Sequence, residues 1–208
     1  FRGMLADEGV EVRLVVPRYG DEAEAPGVLR VPGGRIPGDP EDRLVGWRAM
    51  HRAVAEAAAD CDLIHVQTPF VAHYAGVSAG RRHGLPVMAT YHTLFEEYLH
   101  HYAPYLPAGL LRSAARFFSR RQCNALDGVI VPSTAMLGRL SDYGVTAPMT
   151  VLPTGIPVSR FAQGDRAAFR TRYGIAEEQP VALFVGRVAH EKNIGFLIDA
   201  VKVARATR

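Results

Sequence analysis

Two cations stand in this sequence where an anion would be held. In Val181-Ala-Leu-Phe-Val-Gly-Arg187-Val-Ala-His-Glu-Lys192-Asn-Ile-Gly-Phe-Leu-Ile-Asp-Ala200, an apolar run predicts a buried strand, and a short turn then carries Arg187 and Lys192. Ile194, Leu197, Ile198 and Val201 give the following segment one apolar helical face. In an open α/β sheet, ligands bind beyond the carboxyl ends of the strands, and the start of a helix favours negative charge. The chemistry this suits is a grip on a phosphate-bearing molecule through charge-assisted hydrogen bonds. The plainer alternative is two solvated cations paired with Glu191 or Asp199. His92 is the second candidate. It follows the apolar run 87–91, and a neutral imidazole can hydrogen-bond a hydroxyl or position a reacting group; a purely structural histidine is the competing reading. His65 reads as a core histidine in mid-strand. His100 and His101 have no carboxylate or cysteine at ligand spacing, so no metal site is expected.

These residues need elements to position them. Residues 1–9 read as the last turns of a helix closed by Gly9, and 10–16 as a strand stopped by Pro17. Further strands are predicted at 28–31, 63–66, 87–91, 129–131 and 149–152. Helices are predicted at 42–59, with Leu44, Trp47, His51, Val54 and Ala58 on one side, and at 70–83, closed by Gly84. Two more are predicted at 108–125 and from the Ser133 cap to Tyr143. Residues 32–40 read as a turn-rich loop. The alternation argues for α/β architecture with a parallel, doubly wound sheet over 1–157. Residues 158–179 read as a crossover with one short helix, and a second domain is expected to open at 180. A helix feeding a strand implies an earlier strand, and one strand with one helix does not close a domain, so the chain is expected to be part of something longer.

Composition narrows the class. The 208 residues are 48% hydrophobic and 22% charged, as in ordinary globular proteins. No apolar run approaches a membrane span. A net charge of +3 is too small to argue for a nucleic-acid partner, and no nucleic-acid-binding motif is present. Cys61 and Cys123 are isolated and read as buried free thiols of a reducing compartment. The most distinctive surface feature is the segment 104–122. Arg112, Arg116 and Arg120 recur every fourth residue with Arg121 beside them, among Leu110, Leu111, Ala114, Phe117 and Phe118. A basic helix of this kind suits an anionic membrane surface; the alternative is an amphipathic helix packed on the sheet with a solvated arginine edge.

Five motifs occur in order: the run Asp62-Leu-Ile-His-Val-Gln-Thr-Pro-Phe70; Tyr91-His92-Thr93-Leu-Phe-Glu-Glu-Tyr98-Leu-His-His-Tyr102; Asp127-Gly-Val-Ile-Val-Pro-Ser133; Leu152-Pro-Thr-Gly-Ile156; and the Gly186-Arg187 to Lys192-Asn193 turn. Together with Tyr143-Gly-Val145, they make the chain resemble the retaining glycosyltransferases of family four, which have two Rossmann-like domains, the GT-B architecture. The His-Thr-x-Phe-x-x-Tyr segment most resembles bacterial diacylglycerol glucosyltransferases. The resemblance implies a Rossmann-like acceptor domain plus the first strand and helix of a second, nucleotide-sugar-binding domain, truncated at both ends. It implies that Arg187 and Lys192 hold the donor diphosphate, and that His92 acts near the acceptor and the transferred sugar. Thr93, Tyr98, Thr154 and Gly155 would lie near the acceptor or the cleft. Pro157 stands where the family usually has Asp, so that acid's contact does not transfer. The family's glycine-rich loop would precede residue 1, and its glutamate pair would follow residue 208.

The expected activity is transfer of a sugar from a nucleotide-sugar donor to an acceptor, with retention, and without a metal or other cofactor. The acceptor is expected to be a membrane lipid such as diacylglycerol, with a soluble saccharide or small molecule as the alternative. A non-catalytic membrane-binding domain is the reading from another class. The expected location is cytoplasmic, peripheral at the inner face of a membrane. The residues 1–208 by themselves are expected to show no turnover.

Overall fold

The computed structural model describes residues 2–36, 39–92, 94, 107–186, 188 and 192–206. The chain divides into two compact units, Phe1–Gly155 and Ile156–Arg208.

In the first unit, helix α1 (Arg2–Asp7) leads into strand β1 (Leu14–Pro17), which pairs in parallel with β2 (Val28–Val31). A hairpin follows, β3 (Gly33–Ile36) antiparallel to β4 (Asp39–Val45). Helix α2 (Trp47–Ala57) precedes β5 (Ile64–Val66), and helix α3 (Val71–His83) precedes β6 (Val87–Thr90). Helix α4 (Ala108–Cys123), β7 (Gly128–Val131), α5 (Thr134–Asp142) and β8 (Met149–Val151) complete the unit. Strands β5, β6, β7 and β8 form one parallel sheet in that order. Each crossover between them carries helix, as parallel strands require.

The parallel α/β architecture is the expected one, and two local readings change. The 32–40 loop and the start of the predicted 42–59 helix are instead the β3–β4 hairpin. Leu44 therefore lies on a strand and is 69% exposed. Helix α2 starts only after Gly46; Val54 and Ala58 of the expected side are buried, together with Met50 and Ala57, while Trp47 is exposed and His51 half-buried. That face is selected by what it packs on, namely α3, β1 and β2. The strands β1–β2 and β5–β8 are not hydrogen-bonded to each other. An apolar groove of about 820 Å³ runs between β1 and β5, floored by Met50 and Val54 of α2.

The core sits on β7. Val129 and Val131 are 1% and 0% exposed, and Leu140 of α5 is 0% exposed against them. Helix α3 approaches the sheet unusually closely because two glycines, one helical turn apart, face it. A Cβ on Gly80 would lie 2.2 Å from Val87 Cγ2 and 2.9 Å from the Leu85 carbonyl oxygen. A Cβ on Gly76 would lie 2.8 Å from Val66 Cγ2. The helix ends on Gly84, whose φ of 68° is left-handed. Helix α5 begins with the Ser133 hydroxyl accepting from Met136 N at 3.2 Å, the cap its sequence announces. Cys123 is buried and its thiol pKa is pushed up to about 11 by desolvation. Cys61 is only half-buried, and its Sγ donates to the Ala57 carbonyl.

The second unit holds helices α6 (Val158–Ala162), α7 (Arg166–Tyr173) and α8 (Ile194–Ala206). Helix α7 is capped by Asp165, which accepts from Ala168 N at 2.8 Å. The run 181–185, read from the sequence as a buried strand, forms no strand, and Leu183 and Val185 are 71% and 84% exposed. A strand exists by pairing, and no strand lies among the described residues of this unit to pair with it. The apolar side of α8 is largely uncovered, with Ile198 53% and Val201 46% exposed.

Two tests follow from the packing. Gly80→Ala has backbone as well as side chain in its way, so it should cost about 1–3 kcal/mol and lower the melting temperature by several degrees. Gly138→Ala, on exposed α5 with nothing within 4 Å, should be neutral or stabilise by about 0.5–1 kcal/mol. Thermal melts of both variants make the comparison. Timed alkylation at mildly alkaline pH should modify Cys61 first and Cys123 only on unfolding.

Candidate active site

The carboxyl ends of β5 and β6 carry a chain of polar side chains. In the parallel register Val66 stands beside Ala89. Side chains alternate along a strand with period two, so His65 and Gln67 fall on the same face as Thr90 and His92. The contacts follow that geometry. His92 Nε2 lies 2.7 Å from Gln67 Oε1. Gln67 Nε2 lies 3.1 Å from His65 Nε2, which is also 2.8 Å from Thr90 Oγ1. Beside this chain, Tyr91 and Ser119 join their hydroxyls at 2.8 Å, which pins the end of β6 to α4. Gln122 Nε2 donates to the Pro69 carbonyl and holds the turn between β5 and α3 against the same helix.

At this strand edge, Gln67, Thr90, Tyr91, His92 and Gln122 reach a hollow of about 60 Å³ that is also lined by Val66, Ala89 and Val129. It has room for ordered water and not for a hexose. His92 itself is exposed at the rim. His73, 4% exposed, lines the hollow and packs edge-on to Tyr74 at 5.2 Å. Burial lowers the pKa of His73. Burial, and secondarily repulsion from His92, lowers that of His65. Both rings are thus favoured as neutral imidazoles. Because the folded state binds these protons more weakly than the unfolded chain, their contribution to stability is lost as pH falls from the ordinary histidine range.

His65, read from the sequence as a core histidine, is half-buried and belongs to this polar chain. Gln67, Thr90, His73, Tyr91 and Ser119 were not singled out from the sequence. The one available signal was the His-x-Gln spacing at the end of an otherwise apolar strand, which puts two polar groups on one face.

Helix α4 presents two faces. Leu111, Ala115, Ser119 and Gln122 are buried on the sheet side. Arg112, Arg116, Arg120 and Arg121 are on the exposed surface, with Leu110 and Phe117 60% and 56% exposed among them. The Arg116 guanidinium lies 5.5 Å from the Tyr143 ring centre, and that of Arg120 lies 5.9 Å from the Phe117 ring. The packed helix and the basic, aromatic surface are both present, on opposite sides. No helix among the described residues is long and apolar enough to cross a membrane.

Of the remaining sequence candidates, Thr154 and Gly155 are exposed at the end of the first unit. Lys192 is exposed two residues ahead of α8. Thr93, Tyr98 and Arg187 lie outside the described residues. Among the described residues no group of three or more His, Cys, Asp or Glu side chains is placed to hold a metal ion.

Comparison with known proteins agrees with this architecture. The chain is 34% identical to an alpha-monoglucosyldiacylglycerol synthase of Streptococcus pneumoniae, over 80% of its own length and 40% of that protein. It is 25% identical to the alpha-monoglucosyldiacylglycerol synthase of Acholeplasma laidlawii, over 92% of its length and 51% of that protein. The chain thus spans about half or less of these relatives. Among solved structures, Anabaena Alr3699/HepE in complex with UDP-glucose superposes with a TM-score of 0.61 at 18% identity, covering 84% of this chain and 43% of that one; this likeness is one of fold. Residues 2–160, most of the chain, match a single family, and the chain belongs to Glycosyltransferase Family 4.

Proposed function

We propose that the whole protein transfers a sugar from a nucleotide-sugar donor to a membrane lipid, with diacylglycerol as the acceptor class and the anomeric configuration retained. The observation that carries this reading is the polar chain ending in exposed His92, at the carboxyl edge of a parallel sheet in a Glycosyltransferase Family 4 chain. The similarity to two glucosyldiacylglycerol synthases supports the lipid acceptor.

In this scheme the acceptor hydroxyl oxygen bonds the anomeric carbon as the bond from that carbon to the diphosphate oxygen breaks, and the hydroxyl proton passes to the departing diphosphate oxygen on the same face of the sugar. His92 hydrogen-bonds a hydroxyl of the sugar or of the acceptor. Arg187 and Lys192 take up the negative charge that develops on the leaving diphosphate, and neutralisation by these cations makes a resident metal unnecessary. Thr93, Tyr98, Thr154 and Gly155 belong to the acceptor side. The exposed arginines and Phe117 of α4 lie on the anionic membrane from which the acceptor is drawn, which makes the protein peripheral to the cytoplasmic face.

Incubating the full-length protein with UDP- or GDP-sugars and diacylglycerol vesicles should give a glycolipid whose anomeric configuration matches the donor's. Transfer to soluble sugars alone would replace the lipid reading with a soluble acceptor. Vesicle binding without any transfer would favour the non-catalytic membrane domain. Arg187→Ala and Lys192→Ala should each remove a contact of roughly 1.5–3 kcal/mol, and lower kcat/KM by about ten- to a hundredfold. Acceptor KM should change little. His92→Ala should reduce transfer and leave nucleotide affinity in place. Replacing Arg112, Arg116 and Arg120 by Ser should weaken binding to anionic vesicles, each charge near the surface contributing on the order of 1 kcal/mol. Because Arg116 also packs on Tyr143, the triple variant is compared at matched melting temperature with Arg112→Ser and Arg121→Ser.

A further inference from the structure

The link between the two histidines is an amide, and an amide is polar in a fixed sense. Its oxygen only accepts and its nitrogen only donates. With Gln67 Oε1 2.7 Å from His92 Nε2, the hydrogen of a neutral His92 ring must sit on Nε2. With Gln67 Nε2 3.1 Å from His65 Nε2, that second nitrogen must be the lone-pair one. The Thr90 hydroxyl, 2.8 Å from the same His65 nitrogen, shares that one lone pair with the amide. His65 is held as a neutral, half-buried ring, which suits it as the acceptor of both. A histidine with its proton on Nε2 offers Nδ1 as an acceptor, and the exposed His92 ring carries that nitrogen at the rim of the hollow.

We propose that Gln67 is a positioning residue: its carboxamide, wedged between His65 and His92, keeps the His92 proton on Nε2 and so presents Nδ1 to accept a hydrogen bond from a sugar or acceptor hydroxyl. This rests on the glycosyl-transfer reading above for its consequence in turnover, and on the contacts alone for the tautomer. The strands make the arrangement rigid. Gln67 directly follows β5 and His92 lies two residues after β6, so the ladder between Ile64–Val66 and Val87–Ala89 fixes their spacing. The Tyr91–Ser119 bond holds the chain between Thr90 and His92.

The test uses the full-length protein labelled with nitrogen-15 histidine, with His92→Ala to assign the ring resonances. In the wild type the His92 signals should be those of the Nε2–H tautomer. Gln67→Leu keeps the volume and removes both polar ends; it should leave His92 as a mixture of tautomers and lower kcat by at least about tenfold, with donor KM unchanged. Gln67→Glu, compared at alkaline pH, retains an acceptor oxygen and should restore the Nε2–H population. A tautomer that is unaltered in Gln67→Leu, or a kcat within about twofold of wild type despite an altered tautomer, overturns the proposal. If Gln67→Leu does not fold, Gln67→Glu decides alone, because loss of the Nε2–H tautomer there has the same force. Absence of sugar transfer by the wild type would sink the functional reading, while the resonances would still report whether Gln67 sets the ring.

Discussion

Strands β5 and β6 run side by side in one direction with Val66 beside Ala89. That register brings two strands to an end at the same edge and on the same face, which is what parallel pairing does and antiparallel pairing does not. Gln67 and His92 meet because of it, although 25 residues separate them in the chain. The same register sets the crossover helices. α3 must return from the end of β5 to the start of β6 and lie flat on both, and α4 must do the same between β6 and β7. The site is thus a by-product of the topology: polar residues placed just past strand ends are delivered together without any local motif holding them.

The close fit of α3 is what makes the return path short. With Gly76 and Gly80 against Val66 and Val87, the helix backbone itself touches the sheet. The apolar surface that a larger residue would have brought is replaced by contact between helix backbone and valine methyls, which fill the space at the density typical of interiors. Helix α4 is fixed differently. Its buried stripe is short and partly polar, and Ser119 and Gln122 use their hydrogen bonds to Tyr91 and Pro69 to tie the helix to the ends of β6 and β5. A helix fixed by these residues at one end of the sheet keeps its outer surface toward solvent, and this is where the arginines stand, Arg116 over the Tyr143 ring and Arg120 over that of Phe117.

The parts of the fold that a reader of the sequence can see are those with strong local signals. The Gly84 helix end, the Ser133 cap and the apolar run of β7 are each set by residues within a few positions of one another. The hairpin β3–β4 was read as loop and helix because Gly33, Gly34 and the charged residues 39–43 carry no alternation of polar and apolar. On α2 the expected side is buried at Val54 and Ala58, and the buried surface extends to Met50 while Trp47 stays exposed, because Met50, Val54 and Ala58 are the residues in the cluster with Val31, Val45, Ala75 and Ala79. The run 181–185 has strand composition and no strand, because composition supplies the preference and pairing supplies the ladder. At the site, His92 was legible from its place after an apolar run. Gln67 was not, since its role depends on a partner across the sheet that local reading does not reach.

Strand β5 deserves a last consideration as a mechanical support. Among the described residues it is three residues long and hydrogen-bonded to β6 alone, while β7 is held on both sides. Its outer edge faces the groove toward β1. Local opening is easiest where a backbone is bonded on one side and lies over unfilled space. The glutamine that sets the His92 ring is therefore held in place through the single ladder from β5 to β6, so the alignment of the ring depends on that one pairing.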